Sequence, residues 1–345
     1  MAATIYEVAR KSGVSIGTVS RVLNDSPLTA VTTRERVLQV ISELDYQPHA
    51  LARGLARRKT NAVGVVGPLF NGGLHAEVLR GIQRGLEQHN FDLVLYGVDD
   101  QNKKDAFLRR ALQQRRVDGL LLVSMPLSGA LAVDCKRRRL PLVLVDSQHH
   151  QFDSITVDNQ YGAALATQEL LRLGYRRFAL LAGHYENMRA QARLQDCQNA
   201  LQEAGIAASA QTVIRSEALG KNAAASAWQS GYAAMKTFLA QQVQEGRAST
   251  PLALFVTCDS LVRGALSAVQ NAGLRLPQDV AIVAFRDSEL AEHSGVMIVR
   301  QPQAEIGYQA VKRMLALMKH PGSPPQQVTV KPQLQVQQHG LPAKV

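Results

Sequence analysis

The residues with the clearest chemical potential lie in segment 15–24, which reads Ser-Ile-Gly-Thr-Val-Ser-Arg-Val-Leu-Asn. Ser15 is a suitable helix N-cap, because its hydroxyl can accept from backbone N–H groups of the first turn. The apolar residues share one helical face, namely Val19, Val22 and Leu23. Arg21 on another surface could donate to O6 and N7 of guanine, and the hydroxyls of Thr18 and Ser20 suit phosphate oxygens. The segment therefore predicts a helix that could enter the major groove of DNA.

Two more helices are predicted beside this one. In the first, Thr4 and Glu7 form a capping box, and Gly13 supplies the C-terminal stop. A second capping box is predicted at 32–35, and it opens an amphipathic helix that continues to Leu44. Two short helices with a Gly-containing turn and a third that completes a core make a helix-turn-helix. On spacing alone, an ordinary helical subdomain with a solvated polar face fits about equally well.

The residues of this region closely resemble the headpiece of the lactose-repressor (LacI/GalR) family of bacterial transcription regulators. The matching stretches are 5–9, 13–15, 18–24, 33–37 and 44–53. The resemblance implies that Ile16, Gly17 and Arg21 enter the major groove, and that Thr18, Ser20 and Arg34 hold phosphates. Gly17 departs from the family, which usually has a larger residue there. Two-fold symmetry implies a near-palindromic double-stranded DNA operator.

Residues 48–60 form a short basic segment that begins with a helix-breaking proline. On composition alone it could be a flexible linker, since isolated helices need about 12–15 residues in water. The family resemblance implies instead a hinge helix that folds on the operator and inserts Leu55 into the minor groove. Gly54 stands where the family often has serine.

Composition favours a basic, globular protein with a polyanionic partner. The chain of 345 residues carries a net charge of +11, and residues 1–60 contribute nine cations against five anions. A basic region of this kind suits nucleic acid. No signal peptide and no apolar run of membrane-spanning length is visible. Three widely spaced cysteines indicate a reducing compartment, so we expect a cytoplasmic protein that does not associate with membranes.

From residue 61 onwards, continuous apolar strands alternate with helices, which indicates parallel sheets covered on both faces. The resemblance implies a two-lobed α/β domain of the periplasmic-binding-protein type, with parallel doubly wound sheets behind an all-α helix-turn-helix headpiece. The predicted domains are the headpiece 1–47, the hinge 48–60 and an effector-binding and dimerisation domain 61–345. Lobe 1 would comprise about 61–158 with 290–322, and lobe 2 about 159–289 with the C-terminal tail. The segment 154–158 is taken as a crossing between the lobes, and 298–302 and helix 307–318 as a return to lobe 1. The family dimerises largely through lobe 1, and the absence of a C-terminal leucine heptad favours a homodimer.

Ligands of open α/β sheets bind beyond the carboxyl ends of the strands. Six residues are therefore predicted to bind an effector. Five lie at predicted strand ends and one, Arg193, lies on a helix; the full set is Phe70, Ser124, Asp146, Arg193, Asp259 and Arg286. The resemblance implies that Arg193 clamps the effector and that Asp146 and Asp259 accept hydroxyl groups. Arg286 replaces an aspartate common in sugar-binding members. Near Ser226 the family often has a stacking aromatic, which Trp228 could replace.

Two interpretations of this pocket stay open. With Arg193 and Arg286 both facing a cleft, the small-molecule effector would be anionic, such as a sugar phosphate or an organic acid. Alternatively, Arg286 pairs with Asp287, Asp259 or Glu289, and the pocket is degenerate. For the whole protein, the prediction is a DNA-binding regulator, more specifically a repressor. The alternatives are control by a protein corepressor and a solute-binding protein.

Catalysis is not predicted. The sequence has no Gly-x-Ser-x-Gly nucleophile elbow, and segment 81–85 belongs to a predicted helix, which excludes a phosphate loop. His149 and His150 are adjacent and lack acidic or cysteine neighbours at ligand spacing, so no metal site is expected. No cofactor is expected either.

Overall fold

A computed structural model describes residues 3–23, 26–46, 60–68, 73–98, 101–114, 116–183, 188–216, 223–247, 250–286 and 295–336. The chain divides into two compact units, 1–62 with 115–118, and 63–114 with 119–345. Leu55 and Phe70, which the sequence assigns to DNA and effector binding, lie outside the described residues, as does most of the predicted hinge.

The described residues of the first unit form three helices, α1 (Ile5–Ser12), α2 (Ile16–Leu23) and α3 (Val31–Glu43). The predicted capping box of α1 is confirmed, because the Thr4 backbone N–H donates to the Glu7 carboxylate at 2.8 Å and the Glu7 N–H donates to Thr4 Oγ1 at 3.4 Å. Gly13 ends the helix in the left-handed conformation, with φ of +66°. The three helices share a small core whose fully buried members are Val8, Val19 and Val37.

The predicted capping box at Thr32 is wrong. Helix α3 begins at Val31, two residues earlier than a cap at Thr32 requires, and its N-cap is Ala30, which has no side-chain cap hydrogen bond. The backbone carbonyl of Ala30 already accepts from the Arg34 N–H at 3.0 Å, so Thr32 lies inside the first turn. Both threonines are therefore helical residues and cannot act as the cap.

The second unit contains two six-stranded sheets. The first has the order β11-β5-β4-β3-β1-β2, and the second has the order β12-β10-β9-β8-β6-β7. The strands are β1 (Ala62–Pro68), β2 (Asp92–Val98), β3 (Gly119–Val123), β4 (Leu142–Val145), β5 (Asp153–Val157), β6 (Phe178–Ala182), β7 (Gln211–Arg215), β8 (Leu252–Val256), β9 (Val280–Arg286), β10 (Met297–Arg300), β11 (Gln327–Val330) and β12 (Gln333–Gln335). Strand β12 runs antiparallel to β10, whereas β1–β3, β3–β4, β4–β5, β5–β11, β6–β7, β6–β8, β8–β9 and β9–β10 are parallel pairs.

Helices alternate with these strands, as the apolar runs predict. They are α4 (Gly73–Glu87), α5 (Gln101–Gln114), α6 (Gly129–Arg138), α7 (Asn159–Arg172), α8 (Met188–Glu203), α9 (Ala223–Gln244), α10 (Asp259–Asn271) and α11 (Gln303–Lys319). Each sheet has its own apolar core on the helix-covered faces, with strand residues such as Leu121 in the first sheet and Phe255 in the second fully buried.

Three details of the predicted chain path differ from the structure. The C-terminal tail is predicted to belong wholly to lobe 2, but its strand β11 pairs with β5 in the first sheet, and only β12 joins the second. Residues 153–157 form strand β5 of the first sheet, where the sequence predicts only a crossing segment. Strand β10 belongs to the second sheet, because Met297 pairs with Val283 and Val299 with Phe285 of β9. The prediction that this stretch returns to the first lobe is therefore wrong for the strand. Helix α11 does pack in the first sheet's core, through Ile306, Val311 and Met314.

Helices α4 and α11 approach closely because glycines face the partner backbone. A Cβ on Gly81 would lie 1.8 Å from the Ala304 carbonyl oxygen, and a Cβ on Gly307 would lie 2.2 Å from that of Val78. Such a contact is possible only without a side chain. These glycines therefore fix the C-terminal helix against the first lobe.

Candidate DNA-binding surface and effector site

Helix α2 is built as a recognition helix requires. Ser15 Oγ accepts from the Thr18 backbone N–H at 3.2 Å and lies 3.0 Å from Thr18 Oγ1, so the predicted N-cap is confirmed. Val19 and Val22 are buried in the headpiece core. Ile16, 39% exposed, and the exposed Gly17 and Arg21 remain for an external partner.

The headpiece residues predicted to bind phosphate are partly exposed to solvent, and two of them already make hydrogen bonds within the headpiece. Thr18 and Ser20 are half-buried, and the Thr18 hydroxyl contacts Ser15. Arg34 is also half-buried, and its Nη2 donates to the Ser26 carbonyl at 3.0 Å. Arg34 therefore fixes the loop between α2 and α3. Because a guanidinium has five N–H donors, this bond does not preclude a phosphate contact.

Gly17 is not required by the packing of the headpiece. A Cβ at this position would meet only Ser15 Oγ, at an ordinary distance of 3.7 Å. Glycine inside a helix costs roughly 0.5–1 kcal/mol relative to alanine. Packing within the headpiece therefore does not explain the glycine, and the exposed face of α2 carries no side chain at this position.

Sequence reasoning missed an exposed aromatic on the first helix. Tyr6 is 71% exposed and lies between Thr4 and Glu7, the two residues of the capping box. Leu28 in the α2–α3 connection and Val31 at the start of α3 are likewise exposed. Exposed apolar side chains are available to a partner but do not by themselves require one. Tyr6 could have been found from the sequence, because it falls off the apolar stripe formed by Ile5, Val8 and Ala9.

Asp118 anchors the chain where the headpiece unit ends. Its carboxylate accepts three hydrogen bonds, from the Thr60 N–H at 2.7 Å, the Thr60 hydroxyl at 2.9 Å and the Asn61 N–H at 2.9 Å. The Asp118 N–H in turn donates to the Ala62 carbonyl at 2.7 Å. These bonds fix the start of β1, and no sequence spacing points to them because the partners are nearly sixty residues apart.

In the first sheet, two predicted effector residues are in contact. Ser124 directly follows β3 and Asp146 directly follows β4, and Ser124 Oγ donates to Asp146 Oδ2 at 3.2 Å. Both residues have positive φ, of 52° and 55°. Such conformations are uncommon outside glycine and concentrate at functional sites. The carboxyl edge of the sheet thus presents an acceptor and a hydroxyl side by side.

In the second sheet, Arg193 is held at the corresponding edge. It is only 3% exposed, its Nη1 donates to the Thr257 carbonyl at 3.2 Å, and its guanidinium lies 5.3 Å from the ring centroid of Phe285. Thr257 lies just after β8, and Asp259, half-buried, begins helix α10. Arg286 ends β9, but its side chain lies outside the described residues.

A buried lysine supports the loop that follows Ser124. Lys104 is fully buried on α5 and donates to the Pro126 carbonyl, and its Nζ lies 3.2 Å from Asp105. Burial lowers the pKa of Lys104, while its hydrogen bond and charge interaction with Asp105 oppose that shift. Sequence alone does not indicate this role, since a lysine near the start of a helix is usually solvated.

Within the described ranges, no group of three or more His, Cys, Asp or Glu side chains could hold a metal ion. In the same part of the chain, no helix combines the length and apolar character needed to cross a membrane.

Comparison with known proteins decides the family. Residues 4–49 match a family described as bacterial regulatory proteins of the lacI family, and residues 167–338 match a periplasmic binding protein-like domain. The ribose operon repressor of Haemophilus influenzae is 31% identical over 323 residues, covering 92% of this chain and 93% of that protein. The chain belongs to the LacI family. Catabolite control protein A of Priestia megaterium is 30% identical over the same length, covering 92% and 93%.

Solved structures agree with this LacI-family assignment. A Lac repressor dimer bound to operator and the anti-inducer ONPF is 25% identical, with a TM-score of 0.81, and covers 98% of this chain and 99% of that one. The transcriptional regulator CelR in complex with cellobiose is 27% identical, with a TM-score of 0.67 and coverage of 98% and 100%. The predicted fold class and function class are confirmed: the chain is a DNA-binding transcriptional regulator with a helix-turn-helix headpiece and a two-lobed α/β domain.

Proposed function

We propose that this regulator is a cytoplasmic, non-catalytic repressor that binds a near-palindromic operator as a homodimer and responds to an effector held between its two sheets. The observation that carries this proposal is the exposed face of α2, where Ile16, Gly17 and Arg21 project from a helix whose cap and core contacts are complete. A relative of known structure was captured as a dimer on operator DNA, which supports the same arrangement here.

Within the headpiece, each exposed group has a distinct proposed role. Arg21 reads a base edge, because a guanidinium fits the two acceptors of guanine. Thr18, Ser20 and Arg34 hold backbone phosphates and so fix the register of the helix. Tyr6 extends the contact surface from α1. Since Gly17 adds no side chain, we expect few bases to be read by α2, and specificity depends strongly on Arg21.

Replacing Arg21 by alanine tests this assignment. The operator, first selected from random duplexes, is expected to bind the variant about 1–3 kcal/mol more weakly, with a much smaller loss on scrambled DNA, because base contacts discriminate and phosphate contacts do not. Fluorescence anisotropy at fixed salt measures both affinities. Arg36→Ala, which removes another exposed headpiece cation, is the matched control and should weaken both duplexes alike. Equal losses for Arg21→Ala on both duplexes would show that Arg21 contacts only the backbone.

For the effector, the arrangement favours a polyhydroxylated molecule with an anionic group. Asp146 and Asp259 supply hydroxyl acceptors on opposite sheets, and the buried Arg193 supplies a planar cation at the carboxyl edge of the second sheet. Arginine binds carboxylate or phosphate with two parallel hydrogen bonds, which a neutral hexose cannot accept with equal strength. Sugar phosphates and sugar acids combine both features.

Calorimetric screening tests this effector class. Phosphorylated sugars and organic acids are expected to bind more tightly than the matching neutral sugars. Arg193→Lys should reduce that preference by about ten-fold or more, because it keeps the charge but loses the bidentate geometry. Tight binding of a neutral sugar would contradict the anionic class. Absence of binding by every small molecule, together with a partner-dependent operator shift, would favour a protein corepressor.

A further inference from the structure

A second cavity lies in the second lobe, at the opposite end of the sheet from Arg193. Its volume is about 560 Å³, and it opens where helices α9 and α10 cover the amino ends of strands β8 and β9. Leu252 and Val280, the first residues of those strands, form part of its wall. This volume falls within the range of small-molecule pockets. No residue assigned to the effector or to DNA contributes to it.

The floor of this cavity is apolar. Leu252, Ala268 and Val280 are buried beneath it, while Leu239 and Leu274 are half-buried along its sides. One polar pair stands at the rim, where Asn271 Nδ2 donates to the Tyr232 hydroxyl at 3.2 Å. Such a surface gains free energy by covering hydrocarbon or an aromatic ring.

The wall of the cavity is positively charged. Three cations line it, namely Arg177, Lys236 and Arg247, against a single carboxylate, Asp279. That carboxylate is already engaged, because Arg275 donates to its two oxygens at 2.9 and 3.0 Å. Lys236 makes no ion pair with any residue that the structure describes.

Arg177 keeps its charge near the cavity without an acidic partner in direct contact. Its guanidinium donates to the carbonyls of Arg247 at 2.9 Å and Thr250 at 3.2 Å, and to the Gln242 side chain. These neutral acceptors satisfy its hydrogen bonds but do not cancel its charge. Arg247 approaches Glu245 at 3.6 Å, yet both side chains are largely exposed, so that pair is weak.

We infer that this cavity binds an amphiphilic organic anion, with the hydrocarbon body on Leu252, Leu274 and Val280 and the anionic head near Lys236 and Arg247. The apolar floor alone would take any hydrocarbon, and the cations alone would take any anion. Their combination in one half-open cavity selects molecules that carry both parts. The site is independent of the proposed effector cleft, because none of its walls is shared.

Isothermal titration of the full-length protein with straight-chain carboxylates tests the site. Octanoate is expected to bind saturably, at one molecule per chain, and affinity should rise about two- to four-fold for each methylene added from butanoate upwards. Lys236→Ala and Arg247→Ala should each weaken octanoate about three- to ten-fold, and 1-octanol should bind more weakly than octanoate. Lys319→Ala, which removes an exposed cation on α11 outside the cavity, is the matched control and should change nothing.

A second variant separates the cavity from general surface charge. Ala240 is exposed and lines the cavity, so Ala240→Trp should fill the space without disturbing the core and abolish binding of octanoate. Absence of saturable binding, equal affinity for 1-octanol and octanoate, or unchanged binding by Ala240→Trp would each overturn the inference.

Discussion

Replacing Leu95 by glutamate is expected to convert the protein from a dimer into a monomer and to weaken operator binding by about 10²–10⁴-fold. Leu93 and Leu95 are 36% and 45% exposed on β2, the edge strand of the first sheet. Alternate residues of a strand share a face, so the two leucines form one apolar strip. Exposed apolar edge strands attract a second strand or chain. A buried, unpaired glutamate would oppose that association.

The loss in affinity follows from linkage of the two headpieces. In a dimer, the second half-site is bound at the high effective concentration set by the first, a gain of about 10²–10⁴ that a monomer forfeits. Sedimentation gives the oligomeric state, and anisotropy on a full operator and on a half-site gives the affinities. The full operator should lose affinity while the half-site does not. Val133→Glu is the control, since Val133 is an exposed apolar residue on helix α6 and not on strand β2. A Leu95→Glu variant that stays dimeric would place the interface elsewhere.

The headpiece could be predicted almost completely because its signals are local. The capping box of Thr4 and Glu7, the stop at Gly13 and the cap at Ser15 each depend on residues no more than four positions apart, and all three are present. The predicted N-cap of α3 is wrong, although the residues around it fit the capping-box pattern. Two threonines before a glutamate satisfy the pattern, but the helix starts two residues earlier than predicted and includes both of them.

For the α/β domain, the sequence predicted the alternation of strands and helices but not the sheet to which each strand belongs. Apolar runs identified β3, β4 and β8 directly, because strands buried on both faces are continuous in composition. The residues in and around strand 297–300 do not indicate which of the two sheets the strand joins. Its pairing with β9 is set by tertiary packing. Helix α9 was missed because its alanine-rich sequence shows no clear stripe, although Met235 and Phe238 are buried along it.

Among the candidate effector residues, too, some features follow from local sequence and others depend on tertiary packing. The rule that ligands meet strand ends indicated Ser124 and Asp146, and the structure brings their side chains into hydrogen-bonding contact. The anchoring of Arg193 by a carbonyl 64 residues away could not be read from the sequence, because it depends on how α8 packs beside β8 and β9. Asp118 and Lys104 were missed for the same reason.

The second large effect is expected from Asp153→Ala, which should lower the free energy of unfolding by about 3–5 kcal/mol. Asp153 begins β5 and is almost completely buried, and its Oδ1 accepts from Arg313 Nε of α11 and from the Gln326 N–H at 3.0 Å. The Arg313 side chain is only 14% exposed. Removing the carboxylate leaves a buried cation and an unsatisfied N–H. Removing one partner of a buried ion pair therefore destabilises a protein far more than the pair as a whole stabilises it.

Chemical denaturation of the Asp153→Ala variant, followed by tryptophan fluorescence and far-ultraviolet dichroism, measures the change. The matched control is Asp134→Ala, which removes an exposed ion pair with Arg137 at 2.8 Å and should cost at most about 1 kcal/mol. Because Arg313 also donates to the Pro324 carbonyl at 3.2 Å, the pair joins α11 to the segment that leads into β11. Loss of Asp153 should therefore release the C-terminal strands first, seen as faster proteolysis after residue 319. Equal stability of the two variants would show that water or a neighbouring group compensates Arg313, and that β11 is held by its pairing with β5 alone.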